Sequence, residues 1–223
     1  MQPVVIAFVI VAVGALFYLS YQYHKKRRQA FTVWATKNGF SYDSNRSREL
    51  GRRFMFLNDL NKGSNRYACD SLSGNYQGYD VDAFTYHYET YSTDSKGNRR
   101  TNHHYLGVIA IKIENTFPEM RLTPEGFFSK IGQFIGFEDI DFESVEFSKK
   151  FAVHSKDKKL AYDFCNTSMM EYLLQHPNTS LELDQDTLAL YDSYRLEPKE
   201  LDGYLQRLVE IRSLMPDYLF RKQ

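Results

Sequence analysis

Cysteine and unbalanced charge are what this chain lacks most. Its 223 residues hold two cysteines, Cys69 and Cys165, which lie far apart in sequence and fit no zinc spacing; a reduced pair suits the cytoplasmic topology read below. Lys and Arg together number 28, as do Asp and Glu. Nucleic-acid binding needs clustered positive charge to displace counterions, so no nucleic-acid partner is predicted. A Walker phosphate loop, a dinucleotide glycine fingerprint, H-E-x-x-H and G-x-S-x-G are all missing. The common grounds for assigning an enzyme go with them, and no cofactor is predicted. Tryptophan occurs once, at Trp34, against 17 Tyr and 17 Phe.

Long apolar runs are also scarce, with one exception at the start. Val4 to Leu19 is unbroken and closes on His24-Lys25-Lys26-Arg27-Arg28. With Ser20 and Tyr21 it reaches about 18 residues, near the lower limit for a helix crossing a bilayer core. No positive charge precedes the run and no small-residue cleavage site follows it, which disfavours a secretory signal. The expectation is a single transmembrane helix, with Lys25, Lys26, Arg27 and Arg28 as its membrane flank. That flank puts the N-terminus outside and the rest of the chain in the cytoplasm. Gly14 has no glycine four residues away, so nothing indicates close helix dimerisation.

The remaining chain, 29–223, reads as one cytoplasmic α+β domain built on an antiparallel sheet with packed helices, behind the 1–28 anchor. Without the four flank bases it carries 24 basic and 28 acidic residues. A short helix through Phe31 and Trp34 ends at Gly39, and the polar 43–53 stretch holds another before Phe54 to Leu57 return to the core. Arg66 to Leu72, Tyr79 to Tyr91 and Tyr105 to Ile113 read as a meander, with a turn at 74–78 and a polar loop at 92–101. Tyr79, Val81, Ala83, Thr85 and His87 share one face of the middle strand; Phe84, Tyr86 and Tyr88 share the other. Bulky residues on both faces predict cover on both or an exposed aromatic end.

Further on, Thr123-Pro124-Glu125 predicts a helix through Phe134, stopped at Gly136. Glu146 to Ser155 predicts a strand, and Ser168 to Glu171 a capping box. Leu181 to Leu183 and Leu188 to Tyr191 predict a hairpin turned at 184–186. A last helix starts at Pro198 and ends before Pro216, with Leu201, Leu205, Leu208 and Ile211 as its apolar stripe.

The candidate site is the end of the long hairpin: Tyr86, His87, Tyr88 and Glu89 with His103 and His104. If the strands pair about a loop centred near Lys96, His87 and Glu89 approach His103 or Tyr105. Imidazoles beside a carboxylate could hold a metal or move protons. Adjacent His103 and His104 point to opposite faces, so no metal is assigned. The acidic run 138–143 lacks calcium-loop spacing, and Met169-Met170 reads as core packing.

Asp141-Phe142-Glu143-Ser144-Val145-Glu146-Phe147, then Phe151-Ala152-Val153-His154-Ser155 and Asp157, form a recognisable core, continued by Ala161-Tyr162-Asp163 and Thr167 to Leu174. Over 139–175 the chain resembles a family of uncharacterised bacterial membrane-anchored proteins, a domain of unknown function. The resemblance implies hydrophobic helices ahead of the domain and a bacterial inner membrane as its location, and brings no catalytic residue. The expected function is a noncatalytic interaction or scaffold domain with a protein partner, Tyr being enriched at recognition surfaces. The alternative is an enzyme or metal-binding domain using the hairpin-end cluster.

Overall fold

The computed structural model describes residues 2–95, 97–125, 138–140 and 142–221. Helix α1 runs over Gln2–Asn38, and its two halves have opposite surroundings. Val5, Ile6, Phe8, Ile10, Val11, Leu16, Phe17 and Leu19 are exposed, whereas Phe31, Trp34 and Ala35 are buried in the core. Gly39, at φ +73°, leaves the helix in the left-handed region where glycine has no Cβ penalty.

The transmembrane anchor is corrected here. Among the described residues, no helix is long and apolar enough to cross a membrane. Helix α1 passes the 28/29 boundary unbroken, and Ser20 to Tyr23 dilute its apolar run. Arg27, expected in a membrane flank, instead lies buried inside the domain, paired with Asp70 and Glu197. Lys25, Lys26 and Arg28 are exposed.

After α1 come β1 (Ser41–Asp43), α2 (Arg48–Arg53), β2 (Ser64–Tyr76), β3 (Tyr79–Thr93) and β4 (Arg99–Pro124). Then follow β5 (Glu138–Asp139), α3 (Val145–Lys150), β6 (Phe151–Ser155), α4 (Lys158–Phe164), α5 (Thr167–Gln175), β7 (Ser180–Asp192) and α6 (Leu201–Leu214). The described strands form one antiparallel sheet in the order β1-β2-β3-β4-β6-β5, with β7 also paired to β4. Gln77 and Gly78 both take positive φ in the β2–β3 turn, the pattern that matches strand twist in a two-residue hairpin.

Both sheet faces are covered, which explains the missing polar face of β3. Val81 and Ala83 with Ile109 and Ile111 pack under α1, α4, α5 and α6. Phe84 and Tyr86 with Val108 and Tyr191 pack against Phe54, Leu57 and Leu60 from the segment after α2. Burying each such large side chain contributes roughly 1.5–3 kcal/mol.

Several elements differ from expectation. The Glu146–Ser155 strand is helical in its first half: the Ser144 hydroxyl accepts from Phe147 N at 3.3 Å, capping α3, and only Phe151–Ser155 is extended. The predicted hairpin turned at 184–186 is one strand, β7, whose register against β4 shifts near Gln185 at φ +53°. Thr123 and Pro124 end β4 rather than opening a helix. The rest of that predicted helix, 126–134, lies outside the described residues, as do Gly136, Lys96 and Asp141. Asn166, rather than Ser168, caps α5, accepting from Met169 N at 3.1 Å. Both cysteines are free thiols, and burial with the nearby Asp70 charge pushes Cys69 up to about 11.

Candidate functional site

Strands β3 and β4 pair without interruption from Val81↔Ile111 to Thr93↔Arg99, which centres their connection at 96. That register sets Glu89 opposite His103 and His87 opposite Tyr105. The pleat then divides the six expected residues between two faces. His87, Glu89 and His103 share the face that carries Val81 and Ala83; Tyr86, Tyr88 and His104 share the other.

On the first face the three side chains meet. His87 Nε2 lies 3.1 Å from His103 Nδ1, and His103 Nδ1 lies 3.4 Å from Glu89 Oε1. One ligand atom from each residue falls within 4.8 Å of the others. The His87 ring is buried, stacked on Tyr67 with centroids 4.4 Å apart and flanked by Tyr105 at 4.9 Å. Burial lowers its pKa, favouring neutral imidazole. His103 is 55% exposed.

Asn65 organises this cluster and was not visible as a site residue. The β2–β3 register shifts between Ser64 and Tyr67, and Asn65 sits in that bulge at φ +47°. Bulges re-aim groups in this way, and Asn is among the few non-glycine residues that tolerate positive φ. Its carbonyl lies 3.1 Å from His87 Nδ1, and its amide donates to Glu89 Oε1 at 2.7 Å. The hydrogen bond from the Asn65 amide holds the Glu89 carboxyl below its ordinary pKa. The Gly63-Ser64-Asn65 run, turn-forming residues at the start of a strand, was the signal that could have marked the bulge.

On the second face the side chains pack against the domain or one another. Tyr86 is fully buried and donates its hydroxyl to Leu60 O at 2.6 Å. Tyr88 stacks on His104 at 4.7 Å, and His104 Nε2 lies 2.7 Å from Thr90 Oγ1. The hairpin end therefore does not present Tyr86 and His87 to a partner.

A second polar cluster lies inside the fold. Arg121 on β4 pairs in register with Glu182 on β7, and its guanidinium reaches Asp59 at 2.7 Å and Glu182 at 3.8 Å. Glu182 also accepts from Asn58 N at 2.7 Å and from the Tyr191 hydroxyl at 2.9 Å. Burial pushes Glu182 up to about 7 despite Arg121. Burial acts the same way on Asp59, but Arg121 and Lys62 outweigh it and hold that carboxyl below its ordinary value. Its sequence signal was a lone charge inside each of two apolar strands, Met120-Arg121-Leu122 and Leu181-Glu182-Leu183.

Neither a family model nor a curated protein matches the chain. Among solved structures it is similar to the crystal structure of the mycobacterial trehalose monomycolate transport factor A, TtfA. The TM-score is 0.61 at 16% identity, over 86% of this chain and 95% of that one. At that identity the likeness shows a shared fold, and function has to be argued from the sites.

Proposed function

We propose that the chain is a noncatalytic, membrane-associated interaction module working in transport, attached to lipid by the first part of α1. The exposed apolar stretch from Val5 to Leu19 carries this reading, with Phe8 and Phe17 each 74% exposed. Contiguous exposed apolar surface of this extent marks an interaction site. Tyr18 near the end of the stretch and Tyr21 just after it are exposed and offer apolar rings with polar tips at the boundary. Exposed Lys25, Lys26 and Arg28 suit anionic headgroups. The transport role is supported by the fold shared with a protein named as a transport factor, and the noncatalytic role by the missing catalytic motifs.

Vesicle flotation tests the attachment. The full chain is expected to float with anionic vesicles, and a Phe8→Ser, Leu16→Ser, Phe17→Ser variant to remain unbound with an unchanged melting temperature. A full chain that stays unbound, or that self-associates through this stretch and ignores vesicles, would replace lipid attachment with protein association.

A further inference from the structure

We propose that His87, Glu89 and His103 form a binding site for a divalent transition ion of the zinc class, independent of the attachment through α1. The ligand atoms would be His87 Nε2, His103 Nδ1 and a Glu89 carboxylate oxygen. A tetrahedral zinc site with Zn–N bonds near 2.0–2.1 Å has ligand-to-ligand edges of about 3.3 Å. Two of the three edges here already measure 3.1 and 3.4 Å. The third, from Glu89 to His87, falls within 4.8 Å.

The surroundings supply what such a site needs beyond its ligands. A carbonyl can only accept, so the 3.1 Å contact with Asn65 O puts the proton of neutral His87 on Nδ1. Nε2 is left with its lone pair aimed at the cluster, the arrangement by which a backbone carbonyl orients a metal-bound imidazole. The Asn65 amide fixes Glu89 from the same bulge. His103 would present Nδ1 by holding its ring proton on Nε2. Two imidazoles and one carboxylate suit zinc and its neighbours, whereas calcium and magnesium prefer oxygen ligands. Three protein ligands also leave a fourth position on the side where His103 is exposed, open to water or to a donor from a partner. The Arg46 guanidinium stacks 4.7 Å from the Tyr67 ring, on a residue that itself stacks on His87, and its charge opposes the ion. The single carboxylate of Glu89 offsets that charge.

Calorimetric titration of the untagged full chain with zinc chloride, after chelator treatment, tests the site. One zinc per chain is expected at micromolar affinity. His103→Ala and Glu89→Gln should each weaken binding by at least tenfold, and His104→Ala, on the opposite face, should leave it unchanged. His103 is exposed enough for its variant to fold, and a matching melting temperature without metal checks this. Binding only near about 1 mM, or tight binding that survives both His103→Ala and Glu89→Gln, would overturn the assignment. Competition by magnesium or calcium at equal concentration would overturn the zinc class.

Discussion

Arg27 Nη1 on α1 and Asp70 Oδ2 on β2 stand 2.5 Å apart inside the protein, and they fasten the N-terminal helix to the sheet. Asp70 takes φ +50° where the β2–β3 register shifts between Cys69 and Leu72, and its other oxygen accepts from the Tyr42 hydroxyl at 2.9 Å. The rest of the Arg27 fork is used as well, by Glu197 at 3.0 Å and by Leu196 O at 2.5 Å. One side chain thus joins α1, β2 and the segment before α6.

Arg27→Ala should therefore be costly. It strands the buried Asp70 carboxylate, and breaking a buried pair in this way costs about 3 kcal/mol or more. Urea denaturation should show that loss, with faster amide exchange over 24–38. A loss below about 1 kcal/mol would mean that the pair does not fasten the helix.

Gly63 is the most constrained glycine near the cluster. At φ +60° a Cβ there would run into the Glu89 carbonyl oxygen and lie 2.8 Å from Tyr88 Cδ2. Gly63→Ala should destabilise the chain by about 1–3 kcal/mol. It should also disturb Glu89 amide resonances before those of distant strands. An unchanged melting temperature would show that the bulge can relax around a methyl group.

The buried Arg121–Glu182 pair predicts a pH dependence whose sign can be worked out. Glu182 titrates near 7 in the folded chain, above its ordinary 4.5. Between those values the folded state holds more protons than the unfolded one, so this group's contribution to stability falls as pH rises through that window. Asp59 acts in the opposite sense at acid pH, losing stability as pH falls through its lowered value. Relative to Glu182→Gln, the native chain should lose stability from pH 5 to 8. Parallel stability curves for the two proteins would refute the raised pKa.

Tyr86→Phe removes one buried hydrogen bond to Leu60 O and should cost about 1 kcal/mol. Tyr86→Ala also empties a core position and should cost about 3–5 kcal/mol. Thermal melts of the two variants check the ratio. Equal, small losses would place Tyr86 at a surface after all.

How much could be read beforehand depended on whether a residue's fate was set locally. The alternation of β3 and a connection centred at 96 were legible, so the approach of Glu89 to His103 followed from counting. Asn65 was not, because a bulge breaks the count that register reasoning relies on. Met120-Arg121-Leu122 and Leu181-Glu182-Leu183 hid their partnership because it joins residues 61 positions apart in sequence. Glu146–Ser155 was too short for periodicity to separate one helical turn from a strand, and the Ser144 cap decided it. At the N-terminus, an apolar run followed by bases suggested a span. Asp70 and Glu197, far along the chain, draw Arg27 into the domain instead.

We propose that the exposed half of α1 works in lipid, while its other half belongs to the domain. Quenching by lipids brominated on their acyl chains tests this at two positions of one helix. In the native chain the sole tryptophan, Trp34, is 9% exposed and donates to Asp202 at 2.9 Å, so vesicles should leave its emission unchanged. A Phe17→Trp variant should gain emission that those vesicles quench strongly. Emission from position 17 that brominated vesicles leave untouched would contradict the account.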